Sequence, residues 1–312
     1  MGLFSKPEVV IIKDSCDSKD YLKKLQDLRS TVADNSVAAE KIDKEITIVE
    51  AGIYGEDSVL FELQNSGMDL VVLRDLFLKT EDGRSAQIDF FVITPYVNVI
   101  IECKNLFGNI EINNKGDFIR TIECKGRKYK EGIYSPITQN ERHLEVYKSC
   151  WESDKGFVTK LIAGRHFTEY NKTIVVLANP KTVINDKFAK KEIKQQVIRS
   201  DQLINYLKST RTDVASSLKA MKETGEWIRK MNVDERTDYL KKFEELAAEA
   251  KVEDVSAESA NSQEEPNSSQ ELICPRCGGQ LILRTAKKGD NAGNQFYGCS
   301  NFPKCRYIKN LG

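Results

Sequence analysis

Four cysteines near the end of the chain, CPRC at 274–277 and CSNFPKC at 299–305, dictate what can fold around them. The two pairs are separated by 21 residues. Pairs carried on turns can point four thiolates at one tetrahedral Zn²⁺. A segment of about 40 residues is too short for a stable apolar core, so the metal would supply the folding free energy. Cys274, Cys277, Cys299 and Cys305 are therefore the expected zinc ligands. The alternative, unpaired or disulfide-bonded thiols, sits poorly with Gly278-Gly279 directly after the first pair and with a reducing compartment. Cys16, Cys103, Cys124 and Cys150 are scattered and expected to be reduced.

Charge marks the same boundary. The chain carries 47 basic and 47 acidic residues, but not evenly. Residues 247–271 hold seven acids and one base, and residues 272–312 hold seven bases and one acid, contributing −6 and +6. A basic tail behind an acidic spacer suggests a polyanion-binding module on a tether. Residues 251–271, rich in Ser, Glu and Asn, cannot bury enough surface to offset chain entropy and read as a disordered acidic linker. No apolar run approaches the roughly 20 residues of a membrane span. The first residues, Met1-Gly2-Leu3-Phe4-Ser5-Lys6, lack the apolar stretch of a signal peptide. The expected compartment is the cytoplasm, with nucleoid association in view and no membrane partner.

Ahead of the spacer the pattern is mixed. Leu22, Leu25, Leu28 and Val32, then Ile42, Ile46 and Val49, recur at helical spacing, and residues 1–50 read as an N-terminal helical segment. Gly52 and Gly55 punctuate the stretch before a new apolar face begins at Val59, Leu60 and Leu63. From there to residue 180, short β-branched and aromatic runs (71–73, 90–93, 99–101, 109–112, 118–124, 173–177) alternate with turns, and Pro136 opens a helix to about Trp151. Residues 181–250 read as a mostly helical extension.

Three charges interrupt these apolar strands. Gln87-Ile88-Asp89 runs through a turn and returns as Ile101-Glu102-Cys103-Lys104. Glu102 and Lys104, two apart on a strand, share a face. With a two-residue turn at Tyr96-Val97, Asp89 lies opposite Lys104 and diagonal to Glu102. Burying charges is costly without a reason. Two carboxylates sharing a site want a divalent cation, and a lysine beside it can orient or deprotonate water. A cross-strand Asp–Lys–Glu salt bridge is the alternative, and on spacing alone it is the simpler one.

The succession Gly55-Glu56, QID at 87–89, VIIECKN at 99–105, FGNI at 107–110 and PITQ at 136–139 resembles the nuclease-related domain (NERD) family of the PD-(D/E)xK nuclease superfamily. The resemblance covers 51–180. It implies an α/β class, a restriction-endonuclease-like mixed sheet flanked by helices. It also implies metal carboxylates at Asp89 and Glu102 for Mg²⁺ or Mn²⁺, a catalytic lysine at Lys104, a helix-borne acid at Glu56 and a polar residue facing the site at Gln139. Cys103 points to the other face and reads as core; His143 is expected at the surface.

Residues 272–312 are similar to the C-terminal zinc ribbon of type IA DNA topoisomerases, on CPRCGG, the strand LILR at 281–284 and FYGCSNFPKC at 296–305. That resemblance implies single-stranded DNA as partner. Phe296, Tyr297, Phe302 and Tyr307 offer faces for base stacking, and Arg284, Lys304 and Arg306 can track phosphates. Some of these aromatics should instead pack beside the zinc. Nothing in 1–250 resembles the strand-passing enzyme. The leading expectation is a metal-dependent DNA phosphodiesterase. Its rivals are a non-catalytic DNA-binding accessory protein in DNA topology, repair or processing, and an RNA-processing or RNA-binding protein.

Overall fold

The apolar runs become a sheet covered on both faces. The computed structural model describes residues 6–15, 17–124, 126–156, 164–234, 238–260, 274–277, 279–286 and 295–310. Contacts divide the chain into two units, Met1–Glu253 and Asp254–Gly312. In the first unit the strands are β1 (Val9–Asp14), β2 (Leu70–Lys79), β3 (Ser85–Ile93), β4 (Asn98–Lys104), β5 (Asn109–Ile112), β6 (Phe118–Cys124), β7 (Arg127–Ile133), β8 (Asn171–Leu177), β9 (Ile184–Asn185) and β10 (Val197–Arg199). The helices are α1 (Asp17–Arg29), α2 (Val37–Gln64), α3 (Pro136–Ser153), α4 (Phe167–Tyr170), α5 (Lys191–Lys194), α6 (Leu203–Ser209), α7 (Leu218–Arg229) and α8 (Lys241–Ala260).

The main sheet has the order β1-β2-β3-β4-β8-β10, and a smaller one has the order β7-β6-β5-β9. Strands β2, β3 and β4 form an antiparallel meander, while β1 joins β2, and β8 joins β4, in parallel. This is the expected mixed α/β sheet. Val59 and Leu63 of α2 and Leu203 of α6 pack on Phe90, Val92 and Ile101. On the opposite face Val146 and Tyr147 of α3 and Met221 and Ile228 of α7 pack on Phe91 and Ile100. Each such fully buried side chain contributes about 1.5–3 kcal/mol of transfer free energy.

The β3–β4 register differs from the expectation. Phe90 pairs with Ile101 and Ile93 with Asn98, so the loop holds four residues and not two. The Thr94 hydroxyl accepts the amides of Tyr96 and Val97 and fixes that loop. Extending the ladder by one position places Asp89 opposite Glu102, not Lys104. A slip of two preserves the faces, so the charges still meet.

Side-chain alternation also breaks here. Leu73 and Leu76 on β2, and Ile88 and Phe91 on β3, point into the same cluster although they are an odd number of residues apart. Asp75 between the first pair has φ 56°. Asp75 and Asp89, which face one another between the paired positions Arg74–Phe90 and Leu76–Ile88, thereby leave the regular ladder.

Helix α2 runs unbroken through Gly52 and Gly55, and so through the expected boundary at residue 50. Its first half joins α1 and α8 in a separate apolar cluster built on Leu25, Ile42, Phe243 and Ala247. Helix α8 continues to Ala260. The beginning of the stretch read as disordered linker is therefore helical, which its Ala, Glu and Lys content permits; residues 261–271 lie outside the described residues. β10, from the stretch read as a helical extension, completes the main sheet.

The second unit is a three-stranded antiparallel sheet of β11 (Leu281–Thr285), β12 (Gln295–Cys299) and β13 (Ile308–Asn310) in that order. Among the described residues no helix is long and apolar enough to cross a membrane.

Candidate active site and metal centre

The acidic residues gather where β3 and β4 pass between α2 and α3. Glu102 is 1% exposed. Its Oε1 meets Lys104 Nζ at 2.6 Å along the same strand face. Its Oε2 lies 3.4 Å from His143 Nδ1 of α3. Among the described residues neither Oε2 nor that Nδ1 has a hydrogen-bond partner, and both atoms are buried. Across the ladder, the half-buried Asp89 accepts the Cys103 amide on Oδ2 at 2.8 Å.

Helix α2 brings the third acid. A Cβ on Gly55 would stand 2.7 Å from Asn105 Cβ, so glycine is what allows α2 to approach the end of β4. Asn105 Nδ2 donates to Ala51 O at 2.7 Å and fastens that approach. The next residue, Glu56, is turned to Arg74, whose Nε and Nη2 donate to Oε2 at 3.1 and 3.0 Å. Arg74 is itself 1% exposed and also meets Asp57 at 2.7 Å and Asp14 at 3.8 Å.

Electrostatics follow from this crowding. Burial raises the Asp89 carboxyl well above its ordinary value, and the charges of Glu102 and Glu56 raise it further. Burial likewise lifts Glu102 and Glu56, opposed by Lys104 and by Arg74 respectively. For Lys104, burial works against the charge, but Glu102 and Asp89 outweigh it and hold the ammonium protonated above its usual range. Burial, then the charge of Lys104, depresses His143 to about 4, so its ring is neutral at pH 7.

These residues fit a divalent cation. Two carboxylates oppose one another across adjacent strands, both shifted towards protonation, and one buried oxygen is unpartnered. A cation there would relieve the repulsion and the desolvation together. Glu56 stays with Arg74, and among the described residues the cysteines alone bring three or more metal-ligating side chains together.

Gln139 sits half-buried in the first turn of α3, and no hydrogen bond joins its side chain to the acids among the described residues. Its neighbour Asn140, which the sequence reading did not single out, is buried and donates from Nδ2 to Ile100 O (3.2 Å) and Ile174 O (3.0 Å). It ties α3 to β4 and β8. His143 is buried beside Glu102, not at the surface as expected. Ile137, Asn140 and Tyr147 recur at spacings of three and seven, and that stripe carries His143 inward with it.

In the ribbon the ligand atoms of Cys274, Cys277, Cys299 and Cys305 all lie within 4.8 Å of one another. The turns that hold them are tight: Cys274 N donates to Gly279 O, and Asn301 donates from its backbone to Cys299 Sγ and from Nδ2 to Cys277 Sγ. Amides aimed at sulfur favour thiolates, and four converging thiolates fit a tetrahedral Zn²⁺. Among the described residues the apolar cluster beside them is Leu281 with Tyr297 and Tyr307 packed against it. Of the expected contact residues, Arg284, Phe296, Phe302, Arg306 and Tyr307 line one cavity of about 290 Å³. Phe302 is exposed, with the Arg284 guanidinium 5.9 Å from its ring centre. Tyr297 and Lys304 do not line that cavity.

Comparison with known proteins gives two separate matches. Residues 51–177 match the family model of the nuclease-related domain. Residues 271–312 match that of the topoisomerase DNA-binding C4 zinc finger. Over 40 residues the chain is 48% identical to DNA topoisomerase 1 of Methanocaldococcus jannaschii, covering 13% of this chain and 5% of that protein. Over 34 residues it is 50% identical to DNA topoisomerase 1 of Archaeoglobus fulgidus, covering 11% and 4%. The Helicobacter pylori J99 enzyme of the same name is 44% identical over 36 residues, covering 12% and 4%. The chain thus spans about a twentieth of the curated relatives it matches. No solved structure matches it. One chain therefore carries both a match to the nuclease-related domain and a match to the topoisomerase-type C4 zinc finger.

Proposed function

We propose that the chain is a metal-dependent nuclease that hydrolyses DNA phosphodiester bonds, with the ribbon binding single-stranded DNA. The observation that carries this reading is the opposition of Asp89 and Glu102 on adjacent strands with Lys104 beside them. Asp89 and Glu102 would hold Mg²⁺ or Mn²⁺, which supplies charge neutralisation at a pentacovalent phosphate. Lys104, protonated, orients the attacking water by donating to it and does not act as its base. Glu56 lends negative charge from α2, and Arg74 keeps that carboxylate in place. Gln139 stands at the mouth of α3 as a polar contact to the strand. On the ribbon, Phe302 and Phe296 offer stacking faces and Arg284 and Arg306 phosphate contacts around one cavity.

A second reading, a non-catalytic DNA-binding protein, is favoured by one feature: Glu102 and Glu56 already have cationic partners in Lys104 and Arg74. Cleavage of labelled single- and double-stranded DNA and RNA by the full chain, with Mg²⁺ or Mn²⁺ and with Lys104→Ala alongside, separates the two. Metal-dependent DNA cleavage lost in the variant supports the nuclease. Binding without cleavage under every metal supports the second reading, and cleavage of RNA alone overturns the substrate.

A further inference from the structure

A basic segment follows the acidic site in sequence, outside the stretch that matches the nuclease-related domain. Residues 181–194 carry five lysines (181, 187, 190, 191 and 194) against Asp186 and Glu192. None of the five forms a salt bridge among the described residues. The other basic element of this region, the β6–β7 hairpin, contrasts with it. There Arg120 pairs with Glu131, Lys128 with Glu123 and Lys130 with Glu111, and of its described basic residues Arg127 alone forms no salt bridge among the described residues. A basic side chain already neutralised by a neighbour has little to offer a phosphate, whereas an unpaired ammonium on a surface keeps its field.

The backbone leads to these lysines from the strand that pairs with β4. β8 ends at Leu177, which pairs with Lys104, and the Ala178 amide donates to Lys104 O at 3.0 Å. The chain then follows the residues after Lys104: Thr182 Oγ1 donates to Leu106 O at 2.6 Å, and Ile184 pairs with Ile110. Arg199 clamps the turn by donating to Thr182 O at 3.0 Å and Pro180 O at 3.2 Å. Thr182 and Ala189 are buried, and Ile193 packs with the cluster of Ile110, Ile112 and Val197. With the inward positions held, Lys181, Lys187, Lys190 and Lys191 are left exposed. Phe188, 64% exposed, lies among them with Lys187 Nζ 5.5 Å from its ring centre. An anchored segment with exposed, unpaired lysines, continuing from the end of β8, suits contact with phosphates.

We propose that Lys181, Lys187, Lys190 and Lys191 form the surface by which the first unit holds the phosphodiester backbone of duplex DNA at the acidic site. The inference rests on the nucleic-acid reading above and adds a site to it. Lysine is a point charge with no preferred base edge, so this surface positions the duplex without reading its sequence.

The test is lysine acetylation of the full-length, zinc-loaded chain with and without a blunt duplex, read by mass spectrometry. Lys23, Lys24 and Lys219, all exposed, serve as references. Duplex should slow acetylation of Lys187, Lys190 and Lys191 several-fold and leave the references unchanged. In parallel, the full-length triple variant Lys187→Ala/Lys190→Ala/Lys191→Ala should bind the duplex with a salt dependence shallower by about 0.9 log units per lost contact, up to about 2.7. Protection confined to Lys304 and Lys309 of the ribbon, with an unchanged salt slope, overturns this surface and leaves the nuclease reading standing. No protection anywhere overturns this surface, and the nuclease reading is then decided separately by the cleavage of single-stranded DNA. Protection of the segment in a chain that never cleaves supports the surface and removes only the catalysis.

Discussion

The two units hold their proposed metal-ligating residues at opposite thermodynamic cost. In the first unit, a sheet of Leu, Val, Ile and Phe covered on both faces supplies the stability, and Asp89, Glu102 and Glu56 are charges that it tolerates. In the ribbon, three of the four residues of the buried cluster are cysteines. Little remains there to bury if the metal leaves. Removing a ligand should therefore unfold the ribbon but relax the core. A residue conserving charge for chemistry and a residue holding a fold can look alike in sequence; their stability effects have opposite signs.

The largest effect expected is at the ribbon. Structural zinc in small modules is worth about 10–16 kcal/mol of apparent binding free energy, which is folding free energy where no other core exists. A strong chelator, or Cys299→Ser, should release one Zn²⁺ per chain and unfold 274–310. Both tryptophans, Trp151 and Trp227, lie in the first unit on α3 and α7. Their emission therefore follows the core alone, and its melting midpoint should stay put. A shift of several degrees on chelation would break the comparison.

Next in size is Asp89→Asn, with the opposite sign for stability. Cleavage should fall by about 10²–10³-fold, the scale of losing one preorganised electrostatic group. The metal-free variant should nevertheless melt higher than the parent at pH 7. The sign follows from linkage: a carboxyl whose folded pKa is raised contributes stability below its unfolded value near pH 4, and loses it as pH rises through the folded value. The advantage of the variant should be absent near pH 4 and grow above it. Mg²⁺ should raise the midpoint of the parent and not that of the variant. A variant less stable than the parent at pH 7 would mean that Asp89 is held for its Cys103 hydrogen bond, as a structural group.

How much of this was legible can be traced residue by residue. The strands at 90–93, 99–101 and 173–177 announce themselves because both sheet faces are buried and the runs are continuously apolar. β7 does not, because nearly all its residues are exposed and nothing in it alternates. The acidic residues were found from their contrast with apolar neighbours, but not their pairing. A loop of two and a loop of four residues preserve the same faces, and only Thr94's capping hydroxyl selects the longer one. Gly55 looked like a break because glycine disfavours helices; its reason is a contact with Asn105 fifty residues on, which no local pattern carries. Arg74 was hidden for a similar reason. It is one charge in the run LVVLRDLFL, and its partners come from α2 and from Asp14 at the end of β1. In the ribbon, by contrast, ligand spacing is local and all four cysteines were readable.

Arg74 sharpens the comparison within the core. Removing one member of a buried ion pair costs about 3–5 kcal/mol, because the other charge is left uncompensated. The lower end applies here, since Asp14 and Asp57 are about half exposed and can turn to water. Arg74→Met should lower the core midpoint by roughly 6–12 °C, at about 2–4 °C per kcal/mol for a domain of this size. Adding Glu56→Gln should recover part of that loss. Urea melts of the two single variants and the double variant measure the coupling; simple additivity would show that Arg74 does not hold Glu56.

The smallest effect, and the most diagnostic, belongs to His143. Its ring is buried, neutral and 3.4 Å from a carboxylate oxygen that is itself shifted towards protonation. A histidine whose folded pKa is depressed to about 4 contributes stability that is full above its unfolded value near 6.5 and is lost as pH falls through the folded value. Asp89, with a raised pKa, runs the other way over an overlapping range. Glu102 and Glu56, also raised, run with Asp89, so these slopes oppose that of the ring in the parent, and the difference between variant and parent isolates the histidine. His143→Gln removes only the destabilising limb. At pH 7 it should change stability by less than about 1 kcal/mol, as replacements that keep a polar group in place commonly do. Below pH 6.5 it should become progressively more stable relative to the parent, by up to about 1.4 kcal/mol per pH unit, the limit for one proton. A constant difference from pH 7 to 4 would mean that the ring is already charged in the fold. The 3.4 Å contact with Glu102 would then be an ion pair, and the acidic site would hold its own counter-charge on both sides.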